Sequence, residues 1–169
     1  MDLVPQRFTV RRLSAGDATA FRHLRVAGLQ AHPESFGASW EAESGKPIGW
    51  FEERLEKNAV FGGYLPAGRL AACVGLQIPE AQKLRHKGML WGMYTCPEAR
   101  GTGLGAALLE ALITHARDDL EEIQLRVVSS NDTAIRLYLR TGFVQYGLER
   151  RALKVDGIYY DDTMMTLSL

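Results

Sequence analysis

Three alternating glycines, Gly101, Gly103 and Gly105, stand between an apolar run and a segment with helical periodicity. The stretch reads Tyr94-Thr95-Cys96-Pro97-Glu98-Ala99-Arg100-Gly101-Thr102-Gly103-Leu104-Gly105-Ala106. A helix N-terminus carries about half a positive charge and several unpaired N–H groups. Glycine lets the backbone approach a ligand closely and adopt positive φ. Together these features make a cradle for phosphate or pyrophosphate oxygens. The same spacing also serves a tight turn with close helix–sheet packing. It is not a Walker loop, because no Gly-Lys-Ser/Thr follows. Gly101-x-Gly103-x-x-Ala106 fits the dinucleotide fingerprint formally, with Glu121 about twenty residues on. Against that reading, Cys96 to Arg100 separate the strand from the first glycine, Glu121 precedes the next strand, and no further βαβ units follow.

The elements that must position this turn can be read on both sides of it. Met89 to Cys96 is a nearly continuous apolar run, as in a buried central strand. Leu104 to Arg117 places Leu104, Leu108, Ala111, Leu112 and His115 on one helical face. Ile123 to Val128 reads as a strand. Asn131 to Thr141 reads as a helix with Ala134, Leu137 and Tyr138 on one face and Gly142 as its stop. Phe143 to Val155 and Ile158 to Leu167 flank Asp156-Gly157, a hairpin signal. Upstream, Arg7 to Leu13 alternates like a strand, and Ala18 to Ala31 has helical spacing that ends at His32-Pro33. Pro33 to Lys46 reads as loop. Pro47 suits a first helical position, and Ile48, Phe51 and Leu55 then form an apolar stripe. Val60 to Leu65 and Arg69 to Ile78 read as strands joined at Pro66-Ala67-Gly68. Pro79 to Gly88 is a polar connection. The sum is one α/β domain over residues 1–169, a mixed sheet with helices on both faces.

Composition bounds the function. The chain has 169 residues, 20 basic and 20 acidic. This balance excludes a protein held on nucleic acid or anionic membrane by global charge. No run approaches the roughly 18 apolar residues of a membrane span. Met1 to Arg7 shows no apolar signal-peptide core. Cys73 and Cys96 form neither a disulfide framework nor a zinc spacing. A reducing cytoplasm is the expected compartment, and no metal is implied.

The flanks of the glycine turn carry a family resemblance. Arg100-x-x-Gly103-x-Gly105-Ala106 resembles the Arg/Gln-x-x-Gly-x-Gly/Ala motif of GNAT-type N-acetyltransferases. Asn131-x-x-Ala134-x-x-Leu137-Tyr138-x-x-x-Gly142-Phe143 resembles that family's second landmark, and helix, strand, helix lie between the two as in the family. Met93-Tyr94-Thr95 with Pro97-Glu98 resembles the preceding strand, and Tyr159 to Met165 the last one. The motifs span Met89 to Phe143.

The resemblance implies a bent mixed sheet of six to seven strands, with Met89–Cys96 and Ile123–Val128 splaying apart to admit acetyl-CoA. Unpaired backbone groups in such a split need partners, and an amide-rich pantetheine arm supplies them. By this resemblance Met93, Tyr94 and Thr95 meet pantetheine. The backbone of Arg100, Gly101, Thr102, Gly103, Leu104, Gly105 and Ala106 meets pyrophosphate. Asn131 binds the cofactor through its side-chain amide. Tyr138 is the implied catalytic residue, a phenol that protonates the departing CoA thiolate.

The resemblance also locates an acceptor pocket between the first helices and the last hairpin. There Glu34, Phe36, Trp40 and Tyr159 are the substrate-binding candidates, with Trp50, Phe51, Tyr146 and Tyr160 nearby. Trp50 and Phe51 equally suit core anchors. Aromatics beside carboxylates suit a cationic amine.

A primary amine near its ordinary pKa of about 10 must lose a proton before it attacks. Many family members carry a glutamate for this on the strand before the turn, but Met89-Leu90-Trp91-Gly92-Met93-Tyr94 has no acid. Glu34, Glu41 and Glu43 are the alternatives, ahead of His32, His23 and His86, or water serves instead. Arg11-Arg12, Lys83-Arg85-Lys87 and Arg150-Arg151 are candidates for the 3′-phosphate of CoA.

The expected activity is acetyl transfer from acetyl-CoA to a small-molecule amine by direct attack in a ternary complex. Neither cysteine has a recognisable base partner for a thiol route. A protein N-terminus or lysine as acceptor, and a non-catalytic acyl-CoA sensor, are the rival readings. The resemblance points to a homodimer.

Overall fold

A computed structural model describes residues 7–169; the expectation placed on the first six residues lies outside them. Seven strands form one mixed sheet: β1 (Thr9–Arg12), β2 (Ala59–Tyr64), β3 (Leu70–Gln77), β4 (Lys87–Thr95), β5 (Glu122–Val128), β6 (Val144–Val155) and β7 (Ile158–Ser168). Their spatial order is β1-β2-β3-β4-β5-β7-β6. Only β4 and β5 run parallel. They are joined through α4 (Leu104–Ala116), as a parallel pair requires a crossover.

The two faces are covered by different helices. Phe21 of α1 (Ala18–Ala31) packs edge-on against Phe51 of α3 (Ile48–Lys57) and against Trp91 of β4. On the opposite face Phe61 meets His115 of α4, and a Cβ at Gly63 would collide with Leu104. Leu104, Leu108, Leu109 and Leu112 are fully buried there. Leaving them in water would cost about 1.5–3 kcal/mol for each side chain, so α4 is fixed from its first residue onward.

Two segments differ from the sequence expectation. The Pro33–Lys46 stretch is not all loop. It holds a 3-10 turn at Pro33–Ser35 and a one-turn helix, α2 (Trp40–Glu43), capped by Ser39, whose hydroxyl accepts from the Ala42 N–H at 3.2 Å. In β4 the expectation of a buried strand holds only near its start. Gly88 and Leu90 are buried, but Trp91 through Thr95 are half-buried, because β5 leaves that side.

A bulge re-aims β4 in the same stretch. Cys73 pairs with Tyr94 and Gly75 with Trp91, so three steps on β4 face two on β3. Gly92 sits inside the bulge at φ +63°. The extra residue turns both Trp91 and Tyr94 toward α1, where Tyr94 lies against Gly28. It sends Met93 the other way, toward Gly105 of α4. Among the described residues no helix is long and apolar enough to cross a membrane.

Candidate active site

The β4–β5 ladder is short. Lys87 pairs with Glu122, Gly88 with Ile123 and Met89 with Gln124, and there the pairing stops. β4 runs on to Thr95, while β5 runs on to Val128 still paired with β7 through Asp162. The facing edges of Leu90–Thr95 and Leu125–Val128 therefore do not pair with each other. Buried backbone N–H and C=O groups demand partners, so this split is built for a ligand or water.

At the open end lies the glycine turn. Gly101 and Gly103 have φ of +73° and +89°, a region that other residues enter at a cost. Gly103 is the N-cap of α4. A Cβ added at either glycine would meet nothing within 4 Å, so the two are not kept bare by protein packing, and the space above them is open. Thr102 ties the turn down: its hydroxyl donates to the Ala99 carbonyl at 2.6 Å. Ala107 N–H reaches Gly103 C=O at 3.1 Å, which leaves the Gly105 and Ala106 N–H groups ahead of it for a ligand or water.

Arg100 is folded back over the strand end. Its Nε donates to the Thr95 carbonyl at 3.1 Å, and its Nη2 lies 3.2 Å from His32 Nε2. Thr95, the expected backbone partner of pantetheine, thus has its carbonyl occupied by Arg100. Tyr94 packs at tilted angles against His32 and Phe36. Met93 Cε and Leu137 Cδ2 would lie 3.4 and 3.3 Å from a Cβ at Gly105.

The second landmark is α5 (Asp132–Thr141) with its two ends. Asn131 is the N-cap, its Oδ1 accepting from Ala134 N–H at 3.2 Å, which leaves its NH2 group uncommitted. Gly142 closes the helix at φ +108°. Tyr138 is 4% exposed, edge-on to Phe143 with ring centroids 5.7 Å apart. Its hydroxyl has no protein hydrogen-bond partner among the described residues. Burial pushes its ionisation above the ordinary phenol value.

The expected acceptor residues separate into two groups. Phe36 and Trp40 line a groove of about 480 Å³ between the Pro33–Glu41 segment and Leu153–Asp156 of the last hairpin. Glu34 is half-buried beside His32, with 3.9 Å between Oε1 and Nδ1. Tyr159 is apart from these, exposed on β7 beneath the Arg151 guanidinium at 3.8 Å. Phe51 is fully buried and Trp50 half-buried against it, as core anchors.

Glu43, one of the base candidates, is 4% exposed and held in a two-point ion pair by Arg25 at 2.7 and 2.8 Å. Both of its oxygens accept from arginine, Oε1 also from Arg54 at 3.4 Å. Arg25 itself was missed. Its phase on α1 is the signal, since it falls in the buried stripe with Phe21, Leu24, Gly28 and Leu29. Of the basic clusters, Arg11 is engaged by Asp17 at 2.8 Å.

A model of the acetyltransferase (GNAT) family matches residues 22–143. The mycothiol acetyltransferase of Thermobispora bispora is 30% identical over 156 residues, which cover 86% of this chain and 50% of the relative. That of Salinispora tropica is 31% identical over 149 residues, covering 85% and 47%. The chain thus spans about half the length of the curated relatives it matches. The fold matches a GNAT-family acetyltransferase from Streptococcus pneumoniae with TM-score 0.85 at 23% identity, over 96% of this chain and 99% of that one. It also matches an acetyltransferase from Salmonella typhimurium, solved with its cofactor acetyl-CoA, with TM-score 0.80 at 22% identity, over 97% and 95%. With both motifs, the split strands and the family match in agreement, the chain belongs to the GNAT acetyltransferase family.

Proposed function

We propose that this chain is a single N-acetyltransferase domain that moves an acetyl group from acetyl-CoA to a primary amine on a small molecule, by direct attack in a ternary complex. The observation that carries this reading is the end of the β4–β5 ladder at Met89 and Gln124, beside the left-handed Gly101 and Gly103 at the start of α4. When bound, acetyl-CoA supplies an activated acyl thioester.

The chain's own residues do the rest. The Met93 and Tyr94 backbone on the open edge of β4 orients the pantetheine amides, and Thr95 joins them when Arg100 lets go of its carbonyl. The N–H groups of Gly101, Thr102, Gly103, Gly105 and Ala106 and the positive end of α4 hold the pyrophosphate, while the Arg100 N–H donates to Pro97 C=O at 3.3 Å and the Leu104 N–H to the Thr102 hydroxyl at 3.4 Å. The Asn131 NH2 group adds a donor at the start of α5. Tyr138 keeps its proton on Oη throughout the neutral range. It acts by donating a hydrogen bond to sulfur as negative charge develops there.

With no acid on β4, the acceptor amine loses its proton to water or to Glu34, the candidate carboxylate beside His32. Phe36 and Trp40 form the wall on the acceptor side. A cytoplasmic homodimer, without metal, completes the reading.

The test is thiol release from acetyl-CoA across an amine panel, for the natural chain and Tyr138→Phe. Turnover that falls at least tenfold in the variant, with cofactor binding kept, supports the enzyme. A folded chain that binds acetyl-CoA and releases no thiol with any amine overturns it in favour of a sensor.

A further inference from the structure

Behind the acceptor side of β4 lies an unbalanced buried charge cluster. Arg25 is 6% exposed and Glu43 4%. Arg25 Nε and Nη2 hold the two Glu43 oxygens at 2.7 and 2.8 Å. Arg54 of α3 adds its Nη1 to the same carboxylate at 3.4 Å. Two guanidiniums therefore share one carboxylate, and one positive charge is left over. The aromatic rings around it do not cancel it: the Arg25 guanidinium lies 5.3 Å from the Trp91 ring centre and 5.8 Å from that of Phe36, and Arg54 lies 4.4 Å from Trp91. These contacts leave hydrogen bonds unmade.

Donors are in surplus as well. Guanidinium and indole only donate. Arg54 Nε and Trp91 Nε1 are sealed from solvent with no partner. Arg25 Nη1 has no protein hydrogen-bond partner among the described residues and, unlike those two, is not sealed. Its direction is fixed by the bulge: a Cβ on Gly92 would lie 3.1 Å from it. Nη1 thus takes up the space of the missing side chain at Gly92, on the face that Tyr94 and Phe36 also occupy. Buried, unused donors with net positive charge call for an oxyanion.

We propose that the acceptor is an amine that also carries a carboxylate, and that Arg25 Nη1, seated on Gly92, binds this carboxylate. Arg25 is then a specificity residue, held rigid by Glu43 so that only Nη1 is free to meet substrate. This inference rests on the acetyltransferase reading above. A carboxylate presents the charged oxygen acceptor that one free guanidinium N–H needs. A phosphate-bearing amine is the competing case.

The experiment follows the arginine guanidinium NMR signals of the full chain, with and without CoA. Arg25 is assigned through its own side-chain carbons. Glycine and β-alanine are titrated in, each against its carboxamide. The expected result is a saturable shift of the Arg25 signal with the acids and none with the amides, lost in Gly92→Ala, whose Cβ crowds Nη1 out of its place while the Glu43 pair stays. Equal response to acid and amide, or no response to either, overturns the proposal.

In thiol release, the acids should exceed their amides at least tenfold in kcat/KM, through KM. A preference for amides or for phosphoethanolamine also overturns it. Loss of acetyl-CoA binding by calorimetry would instead mark failure of the acetyltransferase reading, since the carboxylate titration without CoA still reports on Arg25.

Discussion

Met89 and Gln124 are the last paired residues of the only parallel ladder among the described residues. Beyond them β5 stays with β7, and β4 stays with β3 through a bulge at Gly92. The split between the strands is therefore a designed end of pairing, held open from both sides, with the N-terminus of α4 at its mouth.

Tyr138 gives the first prediction. Burial raises its pKa above the ordinary value of about 10, so its proton stays in place through the neutral and mildly alkaline range. The pH–rate profile should show no falling limb from this phenol below about pH 10. Any rising limb at lower pH should persist in Tyr138→Phe. A falling limb near neutral pH that disappears in Tyr138→Phe would contradict the assignment. The same burial predicts lost stability above about pH 10, where the unfolded chain ionises its tyrosine first.

Glu43 supports the fold rather than removing a proton. Glu43→Gln leaves Arg25 charged, buried and unpaired, and should cost about 3–5 kcal/mol. Urea unfolding measures it. A change under about 1 kcal/mol would mean that the pair is not held as described.

Asp17 anchors the start of α1. It accepts from Arg11 at 2.9 and 2.8 Å and from the Ser14 N–H at 2.8 Å, and the Arg11 guanidinium holds its carboxyl below the usual aspartate range. A depressed carboxylate adds stability above the unfolded value of about 4, and that stability is lost as pH falls below it. Arg11 is half exposed, so solvent screens part of the effect. Asp17→Asn should cost up to about 1 kcal/mol at neutral pH and flatten the acid side of the Tm profile. An unchanged profile would remove Asp17 from that role.

Cys73 is fully buried among core side chains, and burial pushes its thiol up to about 12. Cys96 is raised in the same direction, also by burial. A thiol attacks as its thiolate. Iodoacetamide should leave turnover intact at neutral pH. Stoichiometric inactivation that acetyl-CoA prevents would indicate a covalent thiol route instead.

Much of this was legible in the residues. α1, α4 and α5 follow from 3.6-residue apolar stripes bounded by His32-Pro33, Gly103 and Gly142, and Asp156-Gly157 marks the last turn. What was hidden depends on tertiary contact. The half-burial of Trp91 to Thr95 follows from where β5 parts, which no local pattern in β4 records. The Gly92 bulge is invisible because the apolar run reads the same with or without it. The short helix Trp40–Glu43 has too few residues to show a period. No local pattern pairs Arg25 with Glu43, although Arg25 stands in phase with the buried face of α1. The candidate site was legible where backbone chemistry makes it, at the glycines and the Asn131 cap. It was obscure where side chains from distant elements meet, at Arg25, Glu43 and Arg54.

The central claim is that the strand split and the glycine turn form a CoA site. Calorimetric titration of the natural chain with acetyl-CoA, beside Gly103→Glu with its fold checked by thermal melt, tests it most directly. The account predicts micromolar binding by the natural chain and none by the variant, because glutamate puts bulk and negative charge into the space above Gly103. A folded natural chain that does not bind acetyl-CoA, or a folded variant that binds equally well, would contradict it.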